Sequence, residues 1–287
     1  MKGIILAGGS GTRLNPTTIS YSKQLIPIFD KPLVYYPLCT LMNANIRDIL
    51  VITSDQDDEN FKRLLGDGSK WGIKISYLKQ YKPNGIAEAF IIGEKFVGDE
   101  SVALILGDNI FYGIDFEKIF FNNDINNIIG GYIFSYKVPD PSRYGVLEIK
   151  NKEVLSIQEK PKKPKSNLAV TGLYFYDNKV VKFAKSLKPS KRKELEITDI
   201  NNLYIKKSKL KCINLEQGAV WLDAGTSTSL LHASQFVQTI QERQQFLIGS
   251  PEDTALKKGF ISAVKFRKIA KNFPKNPYGD LLRGLLK

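Results

Sequence analysis

Short apolar runs alternate with amphipathic stretches through the first half of the chain. Lys2 to Ala7 (KGIILA) is an apolar run ending in glycines, the pattern of a parallel strand buried on both faces. Leu33 to Asn43 reads as a helix, Ile49 to Thr53 as a β-branched strand, Asn60 to Leu65 as a short helix and Ile73 to Tyr77 as a third strand. Ile86 to Phe96 predicts one amphipathic helix, and Ser101 to Leu106 a fourth strand that stops at Gly107-Asp108. This rhythm predicts a doubly wound, mostly parallel α/β sheet with helices on both faces.

The middle of the chain is richer in strand patterns. Gly130 to Tyr136, Gly145 to Ile149, Val154 to Glu159 and Thr171 to Tyr176 read as strands with short polar connections. Such connections predict hairpins, hence a mixed sheet with some antiparallel pairing. Lys179 to Leu187 and Ile197 to Ile205 read as helices, Lys211 to Leu215 and Ala219 to Leu222 as strands. From Ser227 onward the pattern is helical, with Ile261, Val264 and Phe266 as apolar positions of a tail packed on the sheet.

Composition narrows the options. A chain of 287 residues with 43% apolar positions can bury a large core, which excludes a disordered, fibrous or disulfide-scaffold protein. Its two cysteines, Cys39 and Cys212, lie in apolar sequence and read as buried thiols in a reducing compartment. The single histidine, His232, follows Leu230-Leu231 and reads as a helix-packing side chain, so the chemistry is not expected to use a histidine base. No apolar run is long enough to cross a bilayer, and the N-terminal one is too short for a secretory signal. A cytoplasmic protein without a membrane partner is expected. The net charge of +13 is spread along the chain. It lacks the basic-aromatic interleaving of a nucleic-acid platform, and suits small anionic substrates.

Candidate chemistry gathers at strand ends. Gly8-Gly9-Ser10-Gly11-Thr12-Arg13 follows the first strand directly. Glycines let backbone N–H groups approach an anion, and an arginine fork suits phosphate oxygens. The stretch is not a P-loop, because no Lys-Ser/Thr follows Gly11, and it lacks the third glycine of a dinucleotide fingerprint, where Leu14 stands. Lys23 is a second cation nearby. Gln24 and Gln80 carry amides able to read the N3–H and carbonyls of a pyrimidine. Asp108 and Asp223 each stand where an apolar strand meets a turn. Two carboxylates from distant strand ends suit a Mg²⁺ ion completed by phosphates and water.

The ordered set is specific. It runs Gly8-Gly9-Ser10-Gly11-Thr12-Arg13, Ser22-Lys23-Gln24, Gly107-Asp108-Asn109, Arg143-Tyr144-Gly145, Glu159-Lys160-Pro161, Val170 to Tyr174, Glu194 to Asp199 and Trp221-Leu222-Asp223. With it the chain resembles the sugar nucleotidyltransferases, in their thymidylyl branch, from Lys2 to near the C-terminus. The resemblance implies a Rossmann-like sheet. It also implies a core over residues 1–226, nucleotide-binding in 1–112 and sugar-binding in 113–226, with a helical C-terminal region over 227–287. It implies condensation of dTTP with α-D-glucose 1-phosphate to dTDP-glucose and pyrophosphate, feeding dTDP-rhamnose or other deoxysugars of surface polysaccharide.

By the same resemblance, Arg13, Lys23 and Lys160 are catalytic. Leu6, Gly8, Gly9, Gly11, Thr12, Arg13, Gln24, Gln80, Gly85 and Asp108 contact the nucleotide. Gly145, Glu159, Lys160, Val170, Tyr174 and Arg192 hold the sugar phosphate, and Asp108 and Asp223 bind Mg²⁺. A homotetramer with a second nucleotide site near Tyr112, Gly113 and the segment after Ser250 is implied as well. Three positions depart from the family pattern: Ala224 replaces the usual Thr, Glu88 a common Gln and Ile114 a frequent His. A sister enzyme using UTP, a non-catalytic sugar-nucleotide sensor and a nucleic-acid binder are the alternative readings.

Overall fold

A computed structural model describes residues 1–9, 11–123, 125, 128–151 and 153–285. Ser10, at the tip of the glycine turn, lies outside the described residues. In chain order the strands are β1 Lys2–Ala7, β2 Pro27–Ile28, β3 Lys31–Pro32, β4 Asp48–Thr53, β5 Lys74–Lys79, β6 Val102–Leu106 and β7 Asn109–Tyr112. They continue as β8 Gly131–Lys137, β9 Gly145–Lys150, β10 Glu153–Glu159, β11 Leu168–Tyr176, β12 Leu210–Asn214 and β13 Val220–Asp223. The α-helices are α1 Tyr35–Asn43, α2 Asp58–Leu65, α3 Glu88–Ile92, α4 Glu94–Val97, α5 Phe116–Asn123 and α6 Lys179–Ser186. After them come α7 Ile197–Ile205, α8 Ser227–Gln244, α9 Pro251–Lys257, α10 Ala263–Asn272 and α11 Pro277–Gly284.

The main sheet runs β10-β9-β11-β6-β1-β4-β5, with β8 on β11 and β12 on β8. Pairing is parallel across β6-β1-β4-β5 and between β8 and β12, and antiparallel wherever β11 or β9 takes part. This is the mixed α/β sheet flanked by helices that the sequence predicts.

Alternation along each central strand builds two cores. Ile5, Val51 and Ile105 face one side, where Leu38 and Leu41 of α1, Phe61 of α2 and Phe266 and Leu282 of the C-terminal helices join them. Ile4, Leu50 and Leu104 face the other, against Phe90 of α3, Val180 of α6 and Tyr204 of α7. A third cluster sets Ala233 and Val237 of α8 against Ile28, Leu33, Tyr36 and Ile110.

A buried polar hub fastens the tail to the sheet. Trp71, fully buried, donates its indole N–H to Glu252 of α9 at 3.0 Å. Tyr278 of α11 donates its hydroxyl to the same carboxylate at 2.5 Å, and Ser250 donates to it at 3.2 Å.

Several expectations need correction. The single helix over Ile86 to Phe96 is two, α3 and α4, divided at Gly93. A Cβ there would stand 3.1 Å from Ile4 and 3.2 Å from Leu50, so the break lets the backbone lie close on the sheet. His232 does not pack: it is exposed on α8, as is Leu231 beside it. Cys39 is buried but Cys212, near the sheet edge on β12, is only half-buried. In the tail, Ile261 is buried but precedes α10, Val264 points to solvent, and Phe266 is buried on α10. The strand pattern also missed the short β7 and the β2–β3 hairpin, and α5 was not predicted. Among the described residues no helix is long and apolar enough to cross a membrane.

Candidate active site

The parallel strands β1 and β6 end side by side, and loops leave from their carboxyl ends, where open α/β sheets bind ligands. The first is the glycine turn. Gly11 takes a left-handed conformation (φ 62°) and opens a one-turn 3-10 helix, Thr12–Leu14, that puts Arg13 at the surface. Thr18 donates its hydroxyl to the Gly11 carbonyl at 2.8 Å and closes the turn. Gly8 packs on Gln80, whose Oε1 lies 2.6 Å from the point a Cβ on Gly8 would occupy.

The second loop carries Asp108, and a small antiparallel ladder brings Asp223 to it. β7 and β13 pair Asn109 with Asp223 directly, and the Ala224 N–H donates to the Asp108 carbonyl at 2.9 Å. Two stretches far apart in sequence thus place both aspartates on one cleft. Gly225 leaves room beside Asp223: a Cβ there would be 3.3 Å from the Asp223 Oδ2 and 3.4 Å from an Arg13 nitrogen. The cap of α8 holds this turn, because Thr226 accepts from the Ser229 N–H and the Ser229 hydroxyl accepts from the Thr226 N–H.

Each carboxylate has protein donors. Asp108 is ion-paired with Lys23 and accepts from the Asn109 amide at 2.9 Å. Burial alone would raise its pKa; the charge and hydrogen bond of Lys23 outweigh burial and hold it below the usual carboxylate range. Asp223 accepts from the Tyr144 hydroxyl at 2.9 Å and from Arg143 at 3.1 Å. Burial first, and then the Asp223 charge, push the Tyr144 hydroxyl well up, so it stays a donor at neutral pH. Among the described residues no group of three or more His, Cys, Asp or Glu converges. The two hard carboxylate donors fit Mg²⁺ only as a partial shell, one that phosphate and water would complete.

The far end of the cleft is built by β9, β10, β11 and α7. Glu159 accepts from the Thr198 hydroxyl at 2.7 Å and lies 3.9 Å from Lys160. Lys160 adopts a left-handed conformation (φ 43°), pinned by its N–H on the Tyr144 carbonyl at 2.9 Å. Val170 and Tyr174 form a buried wall, and Gly145 on the neighbouring strand β9 leaves space that a Cβ would take, 3.4 Å from the Thr198 hydroxyl and 3.5 Å from Glu159. The cleft has a cavity volume of about 210 Å³ and opens to solvent.

Of the predicted residues, Arg13, Asp108, Gly145, Glu159, Lys160, Val170, Tyr174 and Asp223 line this cleft. Lys23 reaches it through Asp108. Leu6 accepts the Gly107 N–H at 2.9 Å from the adjacent strand end. Gln80, Gly8 and Gly85 form a neighbouring corner, with the Gln80 amide 3.3 Å from the Gly85 carbonyl. Gln24 is buried under Gly107 and accepts from Ser22. Arg192 stands outside the cleft lining, gripped by Glu196 at 2.7 and 3.1 Å, by Glu194 at 3.1 Å and by Glu159 at 3.5 Å.

Sequence reasoning gave no role to Asn109, Arg143, Tyr144, Thr198 or Trp221, all of which line the cleft. Buried Asn109 is the connector among them: its Oδ1 accepts from the Trp221 indole at 2.6 Å and from the Gly172 N–H at 3.2 Å. The only signal for these residues was membership of the quoted motifs.

Residues 2–240 match the model of the nucleotidyl transferase family. The glucose-1-phosphate thymidylyltransferase of Neisseria meningitidis serogroup A is 53% identical over 288 residues, covering 100% of each chain. That of Mycolicibacterium smegmatis is 52% identical over 287 residues, covering 100% of this chain and 99% of its own. A Bacillus anthracis crystal structure, provisionally named a glucose-1-phosphate thymidylyltransferase and holding sucrose, superposes with a TM-score of 0.76 at 43% identity, covering 82% of this chain and 94% of that one. The chain belongs to the nucleotidyl transferase family and, within that class of enzymes, to the glucose-1-phosphate thymidylyltransferases.

Proposed function

We propose that the enzyme joins the thymidylyl group of dTTP to α-D-glucose 1-phosphate and releases pyrophosphate. The observation that carries this reading is one cleft lined together by Arg13, Asp108, Asp223, Glu159, Lys160 and Thr198. A phosphate oxygen of the sugar forms the new bond to the α-phosphorus of dTTP. The bond from that phosphorus to the bridging oxygen of the leaving pyrophosphate breaks. The nucleophile is already anionic at neutral pH, so no base is needed, in keeping with an exposed His232 on α8.

The chain's own residues then position and neutralise. Lys160 orients the sugar phosphate while Glu159 and Thr198 hold sugar hydroxyls. Arg13 and the turn of Gly8, Gly9, Gly11 and Thr12 receive the triphosphate, and Arg13 offsets charge on the leaving group. Lys23 keeps Asp108 ionised and oriented. Asp108 and Asp223 would hold Mg²⁺, which when bound would neutralise phosphate charge. Gln24, Gln80 and Gly85 form the pyrimidine corner, and Arg192 orients Glu159 from outside. A cytoplasmic homotetramer feeding deoxysugar synthesis belongs to the same reading, its assembly checked by light scattering.

A pyrophosphate-release assay across dTTP, UTP, dCTP and several sugar 1-phosphates tests this function. Thymine and uracil differ by one methyl, a discrimination of roughly 1–3 kcal/mol, so UTP is expected as a slower substrate. No pyrophosphate release with any pair would defeat the reading. Arg13→Ala is expected to lower turnover about 10²–10³-fold with the melting temperature unchanged. Undiminished turnover in that variant removes Arg13 from the mechanism.

A further inference from the structure

We propose that Glu88 fixes the Gln80 side-chain amide in one orientation, and so makes the base corner selective for a pyrimidine that carries a hydrogen on N3. This rests on the reading of Gln80 as a base contact. Gln80 is buried, and its Nε2 donates to Glu88 Oε2 at 2.8 Å, with the Gly85 carbonyl 3.3 Å away. The other Glu88 oxygen accepts from Asn84 at 2.8 Å, so the carboxylate is itself braced. The Asn84–Ala87 segment is tied to Leu195 by the Leu195 N–H on the Asn84 carbonyl at 2.6 Å and the Ala87 N–H on the Leu195 carbonyl at 3.1 Å.

An amide has two faces of nearly equal shape, and only its partners decide which one points where. An ionised carboxylate can only accept. Beside Glu88 and the Gly85 carbonyl the amide must therefore present its NH₂. The flipped amide would set an oxygen against two acceptors, one of them charged. Its Oε1 is consequently turned to the other side, toward Gly8, and accepts no hydrogen bond among the described residues. An acceptor so fixed suits the N3–H of thymine or uracil. It repels cytosine, whose N3 is a lone pair.

The test is Glu88→Gln, nearly isosteric at a half-buried position. The glutamine restores the second orientation of Gln80. The ratio of kcat/KM for dTTP to that for dCTP is expected to fall about tenfold or more, as one hydrogen bond gained and one lost would give. The change should sit in KM, with kcat for dTTP within about twofold, because Glu88 does not touch the phosphates. Calorimetric dissociation constants of dTDP and dCDP are expected to converge in parallel. Should Glu88→Gln be unstable, Asn84→Ala, at an exposed position, unbraces the same carboxylate and is expected to shift the ratio the same way by less.

A merely structural Glu88 would weaken both nucleotides equally, and an unchanged ratio with wild-type selectivity intact overturns the inference alone. Wild-type enzyme that takes dCTP as readily as dTTP overturns the base-corner reading and the inference together.

Discussion

Asp108→Asn is expected to lower turnover with dTTP and glucose 1-phosphate by about 10²–10³-fold, equivalent to roughly 3–4 kcal/mol of barrier. Shape is nearly conserved and charge is not. Lys23 loses its counter-ion in a poorly hydrated spot, both side chains of the pair being largely buried. The variant is therefore also expected to melt several degrees lower, since an uncompensated buried charge is costly. The concentration of Mg²⁺ needed for half-maximal rate should rise. Adding Lys23→Met should recover stability and leave turnover low, because the two side chains act as one unit. Steady-state kinetics over a magnesium series, with thermal melts of the three variants, separates these effects. Turnover above a third of wild type in Asp108→Asn would remove the carboxylate from the machinery.

Trp71→Ala should give the largest loss of stability, about 3–5 kcal/mol, the usual range for emptying a buried tryptophan site. The indole is fully buried, packs edge-on to Tyr35 at 5.8 Å between centroids and lies under the Lys70 ammonium at 4.0 Å. Its removal also leaves Glu252 short of a donor while Tyr278 and Ser250 still lean on it. Trp71→Phe keeps one aromatic ring but loses the N–H together with part of the indole volume, so it should cost less, about 1–3 kcal/mol. Urea unfolding of both variants gives the two costs. Equal costs would mean that the edge of the indole bearing the N–H, not the rest of the filled volume, holds the tail to the sheet.

The central strands were legible because each is an unbroken apolar run. Lys2–Ala7 matches its predicted limits, and Ile49 to Thr53 falls one residue short. Periodicity failed where a local rule was overridden by packing. Nothing in the alternation around Gly93 says that the backbone must approach Ile4 and Leu50 there, so one helix was predicted in place of two. The two-residue strands β2 and β3 are too short to show a period. At the site, Asp108 and Asp223 could be singled out because each ends an apolar run beside a turn. Their protein partners could not. Lys23 is 85 positions from Asp108, and Arg143 is 80 from Asp223, and only the folded chain brings each cation to its aspartate. His232 shows the converse error: Leu230 and Ala233 beside it pack inward, while Leu231 and His232 face solvent.

Because Ile4 and Ile5 serve opposite cores, β1 has no spare phase. Deleting one residue from it would exchange the inward and outward sets and drag the phosphate turn back by about 3.3 Å. This strand can therefore tolerate changes of side chain but not of length, and frame-preserving insertions belong in the solvent-facing connections instead.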